Sequence, residues 1–439
     1  MDLKKLENKP IGNAMRSIEG KKICLLGWGL ENQALAKFLL SEKINCEITI
    51  CDAKIKKLSL PKIQTRLGKN YDKKLTDFDI IFRSPGYPLF SPALKKAKQA
   101  DTIISSPMNL FFELCPTKNI IGVTGTKGKG TTASLIYHIL KTAKKKTFLG
   151  GNIGIAPFSF INKIKKTDWV VLELSSFQLE DLNYSPKFSV ITNFYKEHLA
   201  PADSNNPNYH KTLSNYQKAK LNILKYQARN NTAILNKKIS GKAWQLGKSK
   251  KIYFTKSNLQ SKLLGAHNKE NIAAASLLAQ QIKIKPAIIK EAVASFRGLE
   301  YRLEYVSKKK NINYYNDSFS TTPENTIAAI KSFSSPIVLL AGGADKGSNF
   351  LQLAKEIKNQ VKFVILFKGK GSVKINQSLN KLKYPKEKIR TVSNMPIAIK
   401  TAKQQAKNGD IVLLSPGCAS FGLFKNYKQR GKLFKTYAK

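Results

Sequence analysis

Acidic residues are scarce in this chain: 28 Asp and Glu stand against 76 Lys and Arg, a formal charge of +48 over 439 residues. Dense positive charge attracts phosphate polymers by releasing their counterions, so nucleic acid is the first partner to weigh. Arginine is scarce as well. Only eight positions carry it, the lysines are dispersed, and the forks that grip bases and phosphates are usually arginine. We therefore read the charge as general lysine richness with no specific nucleic-acid partner. Cysteine is limited to Cys24, Cys46, Cys51, Cys115 and Cys418, an odd set mostly in apolar runs, which excludes a disulfide framework. No apolar run reaches the roughly 18 to 20 residues that cross a bilayer, and the opening MDLKKLENKP lacks a signal-peptide core. The expected location is the cytoplasm, without membrane insertion. Apolar side chains are plentiful at 42%, which excludes a disordered polycation. The length fits about three domains at roughly 150 residues each.

From Lys22, KICLLGWGLENQALAKFLL reads as a buried strand, a glycine turn at Gly27 and Gly29, and an amphipathic helix. The strand EITICD then ends at Asp52, completing a βαβ opening. Asn32 stands at the third glycine position of the G-x-G-x-x-G pattern, where close packing of helix on strand is expected. Asp52 is placed for a polar ligand contact at the strand's carboxyl end. A further strand, DIIFRSPGYPLFSPAL, runs into Ser84-Pro85-Gly86, a turn able to bring backbone amides close to a ligand.

NIIGVTGTKGKGTTASLIYHILK is the strongest local signal: an apolar strand, a glycine and lysine loop, then a helix. It reads as a phosphate loop for ATP. Amides from Gly125 to Thr132 (Gly125, Thr126, Lys127, Gly128, Lys129, Gly130, Thr131, Thr132) and the positive helix end would cradle phosphates, Lys129 would add a point charge, and Thr131 or Thr132 a hydroxyl for magnesium. The spacing departs from G-x-x-x-x-G-K-[ST] at Val123 and Gly130. Downstream, WVVLELSSFQL sets Glu173 among apolar neighbours, where magnesium or an internal lysine would explain a carboxylate. FSVITN leads to Asn193 and on to His198, one of only four histidines. Lys220 lies on the helical NYQKAKLNIL. From Arg302, EYRLEYV and NINYYNDS predict a hairpin, followed by further apolar strands and helices of an α/β unit.

Taken together and in order, GWGLENQ, SPGYPLFSPAL, GVTGTKGKGTT, GGNIG, LELSSFQLE, TNFYKEHL, YQKAKLNIL, GAHNKENIAAA, GLEYRLE, NDSFSTTPENT, GGADKG and SPGCASFGLFKNYKQRG resemble the Mur ligases over nearly the whole chain. The resemblance implies an α/β protein of three domains. These are an N-terminal Rossmann-like domain for a UDP sugar (1–116), a central P-loop ATPase with a mostly parallel sheet (117–298), and a C-terminal Rossmann-like domain for the incoming amino acid (299–439). It implies ATP-dependent amide formation through an acyl phosphate in peptidoglycan precursor synthesis, with D-glutamate added to UDP-MurNAc-L-Ala. ATP and Mg²⁺ are required, and a monomer is expected.

Carried over by position, the resemblance gives Lys129, Glu173, His198 and Lys220 catalytic roles. Thr131 and Glu173 would hold one magnesium ion, and His198 and Lys220, if carbamylated, a second. Asn268 and Asn271 match adenine-side positions; Arg302 and Asp317 match positions at the nucleotide. Leu30, Glu31, Asp52, Ser84, Gly86 and Asn152 match the UDP-sugar side beside Gly27 and Gly29, and Thr321, Lys346, Ser420 and Phe421 the glutamate pocket. Glu31 adds a negative charge beside a diphosphate, and Phe319 replaces a common family lysine. L-Glutamate is thus the alternative amine, and folylpolyglutamate synthase the alternative enzyme. The latter's phosphate loop lies near the N-terminus, whereas here about 120 residues precede it, within the usual span of a separate domain. A nicotinamide dehydrogenase would explain Gly27, Gly29 and Asp52 but not the second phosphate loop.

Overall fold

The computed structural model describes residues 17–200, 208–239, 241–345 and 347–439. They form two compact units, the described residues within 1–258 with 269–292, and those within 259–268 with 293–439.

In the first unit, β1 (Lys22–Leu26), α1 (Leu30–Ser41), β2 (Glu47–Asp52), β3 (Ile63–Leu67), β4 (Ile80–Arg83), α2 (Pro92–Gln99), β5 (Ile103–Ser105) and α3 (Pro107–Leu114) come first. The strands align in the order β3-β2-β1-β4-β5, all parallel. Serine followed by proline starts both α2 and α3: Ser91 and Ser106 accept the amides of Leu94 and Asn109, and each proline fills the first helical position, where no amide is needed. The strand order reverses at β1 and β4, which places the glycine turn and the Ser84-Pro85-Gly86 turn side by side at the carboxyl edge.

The same unit continues through β6 (Ile120–Thr124), α4 (Lys129–Thr142), β7 (Thr147–Gly151), β8 (Trp169–Glu173), α5 (Ser176–Leu179), β9 (Phe188–Ile191), α6 (Leu213–Lys225), β10 (Thr232–Asn236) and β11 (Lys250–Phe254). This second sheet has the order β11-β10-β9-β6-β8-β7 and is again parallel throughout. Every residue of β6 is buried, as a central strand covered on both faces requires. One hydrophobic core runs through both sheets. Phe38 of α1 meets Phe158 at 5.0 Å between ring centres, and Phe111 of α3 packs edge-on against Phe158 and Phe160.

Helices α7 (Ala266–Gln281) and α8 (Pro286–Ser295) precede, in chain order, the strands of the second unit. It contains β12 (Glu304–Lys309), β13 (Ile312–Asn316), α9 (Pro323–Ile330), β14 (Ile337–Ala341), α10 (Leu351–Gln360), β15 (Val361–Phe367), α11 (Lys370–Lys381), β16 (Ile389–Val392), α12 (Met395–Gln405), β17 (Ile411–Leu414) and α13 (Tyr427–Ala438). The predicted hairpin is present: β12 and β13 pair antiparallel, and the remaining strands continue in parallel in the order β13-β17-β14-β15-β16. Separate hydrophobic clusters cover its two faces. No helix among the described residues is long and apolar enough to cross a membrane.

Candidate functional site

The phosphate loop leaves β6 through Gly125, whose φ of +145° and a hypothetical Cβ only 2.0 Å from Thr192 Oγ1 leave room for glycine alone. Asn193, at the end of β9, pins the loop: its Oδ1 accepts the amides of Thr126 (3.2 Å) and Lys127 (2.8 Å), and its Nδ2 donates to Lys127 O (2.9 Å). Within the Gly125 to Thr132 turn, the amides of Thr126 and Lys127 are thus held by Asn193. A helix provides no internal partner for its first amides, and its dipole is positive there. The run Gly128, Lys129, Gly130 and Thr131 lies at this positive start of α4. Gly128 caps that helix at a left-handed φ of +79°, and a Cβ on it would fall 2.3 Å from Asn271 Oδ1. Lys129 Nζ donates to Thr126 O at 3.0 Å, folding the ammonium back over the loop. Buried Thr132 donates to Asn271 Oδ1 (3.3 Å), while Thr131 is half-buried.

Glu173 ends β8 directly beside Val123 of β6 and is 6% exposed. Its Oε1 accepts from Asn152 Nδ2 at 3.0 Å, and its carbonyl accepts the Asn152 amide at 2.8 Å. The carboxylate is thus tied to an amide. Lys220 of α6 is 1% exposed, with Nζ 2.7 Å from Gly125 O. Burial, reinforced by Lys129, holds its pKa well below the usual lysine range. One turn earlier, the Tyr216 hydroxyl meets Thr126 Oγ1 at 3.1 Å. His198 sits at a left-handed φ of +59° with its side chain 42% exposed and its ring edge-on to Phe177. Burial, with Lys220 and Lys129 nearby, lowers its pKa and favours the neutral imidazole.

The chemistry of this donor set fits magnesium. Among the described residues no three His, Cys, Asp or Glu side chains cluster as a ready-made metal cage. Magnesium is usually held by one or two carboxylates together with waters and phosphate oxygens, and one carboxylate, one hydroxyl and the phosphate loop supply that arrangement.

At the N-terminal turns, Gly27 packs so closely on Ser84 that a Cβ would come within 2.9 Å of the serine Cβ, and Gly29 faces Ser84 Oγ. Ser84 Oγ accepts the Gly86 amide at 3.3 Å. Asp52 does not present a free carboxylate: Oδ2 accepts the Trp28 amide (2.7 Å), and Oδ1 those of Lys54 and Ile55. It braces the glycine turn. Asn32 replaces the third glycine by bonding instead of by shrinking, its buried Nδ2 reaching the carbonyls of Leu26, Gly27 and Phe82. Leu30 is exposed. The Glu31 carboxyl accepts from Gln178 Nε2 at 2.5 Å.

In the second unit, buried Asp317 accepts from Ser415 Oγ (2.7 Å) and the Leu303 amide (3.2 Å), and burial pushes its pKa up to about 6. The Arg302 guanidinium stacks 4.0 Å from the centre of the Phe319 ring. Thr321 is half-buried, Ser420 buried and Phe421 exposed on neighbouring loops. Fully buried Arg430 braces two of these loops, through Ser318 O (2.8 Å) and Cys418 O (3.3 Å). Asn268 Nδ2 donates to Leu264 O. Lys346 lies outside the described residues.

Gly125–Thr132, Asn152, Glu173, His198, Lys220 and Asn271 all belong to the first unit, around the carboxyl ends of β6, β8 and β9, whereas Asn268, Arg302, Asp317, Thr321, Ser420 and Phe421 belong to the second. Asn193, Tyr216, Gln178 and Arg83 join the site without having been assigned a role from sequence. A buried arginine inside the apolar run DIIFR was the one available signal among them.

Comparison with known proteins follows the same division. Residues 123–258 match the family model of the Mur ligase middle domain, and residues 301–418 that of the Mur ligase glutamate ligase domain. The chain is 35% identical over 466 residues to a UDP-N-acetylmuramoylalanine--D-glutamate ligase of Clostridium tetani, covering 98% of this chain and 99% of the relative. A protein of the same name from Clostridium kluyveri is 36% identical over 455 residues, 95% and 96% of the two chains. Among solved structures, the UDP-N-acetylmuramate-alanine ligase of Thermotoga maritima shares the fold at TM-score 0.55 and 18% identity (95% and 99% covered). A MurF ligase of Thermotoga maritima in complex with ADP does so at TM-score 0.53 and 17% identity (100% and 99%).

Proposed function

The chain belongs to the Mur ligase family, and from that premise we propose that it joins D-glutamate to UDP-N-acetylmuramoyl-L-alanine, using ATP, in peptidoglycan precursor synthesis. The observation that carries this reading is the phosphate loop with Glu173 and His198 beside it and Lys220 buried beneath it, in a chain similar over almost its full length to ligases of that name.

An oxygen of the alanyl carboxylate attacks the γ-phosphorus of ATP in line and the bridging P–O bond breaks, leaving ADP and an acyl phosphate. The glutamate amine then adds to the acyl carbon, gives up a proton, and the C–O bond to phosphate breaks to leave the amide. The difficulty is that two anions must meet. Lys129 and the amide end of α4 supply fixed positive charge to the phosphates. Thr131 and Glu173 would hold one Mg²⁺, with His198 and a carbamylated Lys220 towards a second, and the metal would supply further charge neutralisation on the phosphoryl oxygens. Asn268, Asn271, Arg302 and Asp317 would take the nucleotide. Gly27, Gly29, Leu30, Glu31, Ser84, Gly86 and Asn152 would take the UDP sugar, with Asp52 bracing their turn. Thr321, Lys346, Ser420 and Phe421 would take the glutamate. The reading includes a cytoplasmic monomer with no nucleic-acid partner, supported by the dispersed lysines.

The test is phosphate release by purified protein with ATP, magnesium and UDP-MurNAc-L-Ala, supplied with D-glutamate, L-glutamate or neither. Release that requires D-glutamate is expected. Release only with L-glutamate would reassign the pocket near Phe319, and silence with both would overturn the reading.

A further inference from the structure

We propose that Arg83 is a positioning residue for the UDP-sugar substrate: its guanidinium ties the Ser84-Pro85-Gly86 turn to the segment that follows Glu173, fixing the substrate end of the site against the phosphate-loop end. This deepens, and rests on, the ligase reading above.

Arg83 is the last residue of β4 and is fully buried, a placement that arginine adopts almost only when paired. Its fork reaches three points. Nε donates to Asp181 Oδ2 at 2.8 Å and Nη2 to Phe177 O at 2.9 Å, both beyond β8, while Nη1 donates to Tyr87 O at 2.7 Å, closing the turn's own far end. Two further bonds make the same crossing: Asn208 Nδ2 donates to Pro85 O at 2.6 Å, and Gln178 Nε2 to Glu31 Oε1. Both substrate-side turns are thus tethered to residues 177–181 and 208. The tether extends inward, because the ring of Phe177 stacks on His210 at 4.8 Å and stands edge-on to His198 at 5.3 Å.

Charge makes arginine specifically necessary here. Glu31, Glu180 and Asp181 each keep one carboxyl oxygen buried with no hydrogen-bond partner. Burial raises the pKa of Glu31 and of Glu180 to about 7, and Arg83 is the cation that draws both back down. A lysine would keep the charge but, as a point donor, could not serve three acceptors lying in the plane of a fork.

The experiment compares wild type with Arg83→Lys, Arg83→Met, Asp181→Asn and the Arg83→Met/Asp181→Asn double variant. Calorimetric binding of UDP-MurNAc-L-Ala and KM for each substrate are the readouts, with the ADP-induced thermal shift confirming a folded central sheet. Loss of the fork is expected to weaken UDP-MurNAc-L-Ala at least about 10-fold with KM for ATP within about twofold, because a small displacement of a positioning element is costly. Arg83→Lys should not rescue, and the double variant should be no worse than Arg83→Met. Unchanged UDP-sugar binding, rescue by lysine, or equal losses for both substrates would overturn the proposal while leaving the ligase reading standing. UDP-sugar binding that depends on Arg83, in a wild type without glutamate-dependent turnover, would do the reverse.

Discussion

The Nζ of Lys220 lies 2.7 Å from the carbonyl oxygen of Gly125, the residue that opens the phosphate loop. An ammonium held there at 1% exposure is expensive unless its charge is offset, and burial together with Lys129 lowers its pKa well below the usual lysine range, which favours the neutral amine. A neutral amine can add carbon dioxide and, releasing a proton to solvent, become a carbamate, so that an anion replaces an ammonium beside Glu173 and His198. With ¹³C-labelled bicarbonate, a carbamate resonance is expected on the wild type and not on Lys220→Met. That variant should lose at least about 100-fold in turnover yet unfold at no lower temperature, since a buried polar group is replaced by an apolar chain of similar length. A stable, fully active Lys220→Met would remove Lys220 from the mechanism.

Gly128→Ala tests the loop. Its left-handed φ costs a non-glycine residue about 1–2 kcal/mol, and the new Cβ would meet Asn271 Oδ1 at 2.3 Å, so Asn271 must give way and its contact with Thr132 goes with it. KM for ATP is expected to rise at least about 10-fold with little effect on UDP-MurNAc-L-Ala binding. Adding Asn271→Ala should relieve the clash but not the backbone strain, recovering stability only in part, as thermal unfolding of the three proteins would show.

The strand, glycine turn and helix units were legible because each is a local pattern: apolar run, glycine, helical periodicity. The C-terminal hairpin was legible for the same reason. What stayed hidden depends on pairs distant in sequence. Arg83 and Asp181 are 98 residues apart, and Asn32 reaches Phe82 across 50. Lys220 is one among 76 basic residues until the fold buries it, so family resemblance, and no composition, singled it out. Asp52 was visible at a strand end, but that its oxygens are taken by three backbone amides follows from a turn geometry that no local pattern encodes.

Asn152 separates metal affinity from catalysis. Its amide holds Glu173 Oε1 at 3.0 Å, so Asn152→Ala frees the carboxylate without removing it. Loss of such an orienting bond typically weakens metal binding about 10–100-fold, so the magnesium concentration for half-maximal phosphate release should rise by that factor, with kcat recovering when magnesium and UDP-MurNAc-L-Ala are both saturating. Glu173→Gln removes the anion itself and should not recover at any magnesium concentration. Recovery by both variants would show that Glu173 is not a ligand.

Asp317 gives a pH dependence with a definite sign. Burial lifts its pKa from 3.8 to about 6 in the folded state, against the bonds from Ser415 and Leu303 that favour the charged form. Between those values the folded chain binds more protons than the unfolded one, so this group's contribution to stability falls as pH rises through the window and is level above it. The interval corresponds to about 3 kcal/mol. Asp317→Asn lacks the titration, so relative to wild type the variant should gain stability from pH 4 to pH 7 while losing turnover, if the carboxylate serves the nucleotide. Hydrogen exchange of β13, compared between the two proteins at each pH so that the intrinsic pH dependence cancels, reads this locally, where Glu31 and Glu180 of the other unit do not intrude. A difference that stays flat across the window would mean that the Asp317 carboxyl is as well solvated by its partners as it is by water.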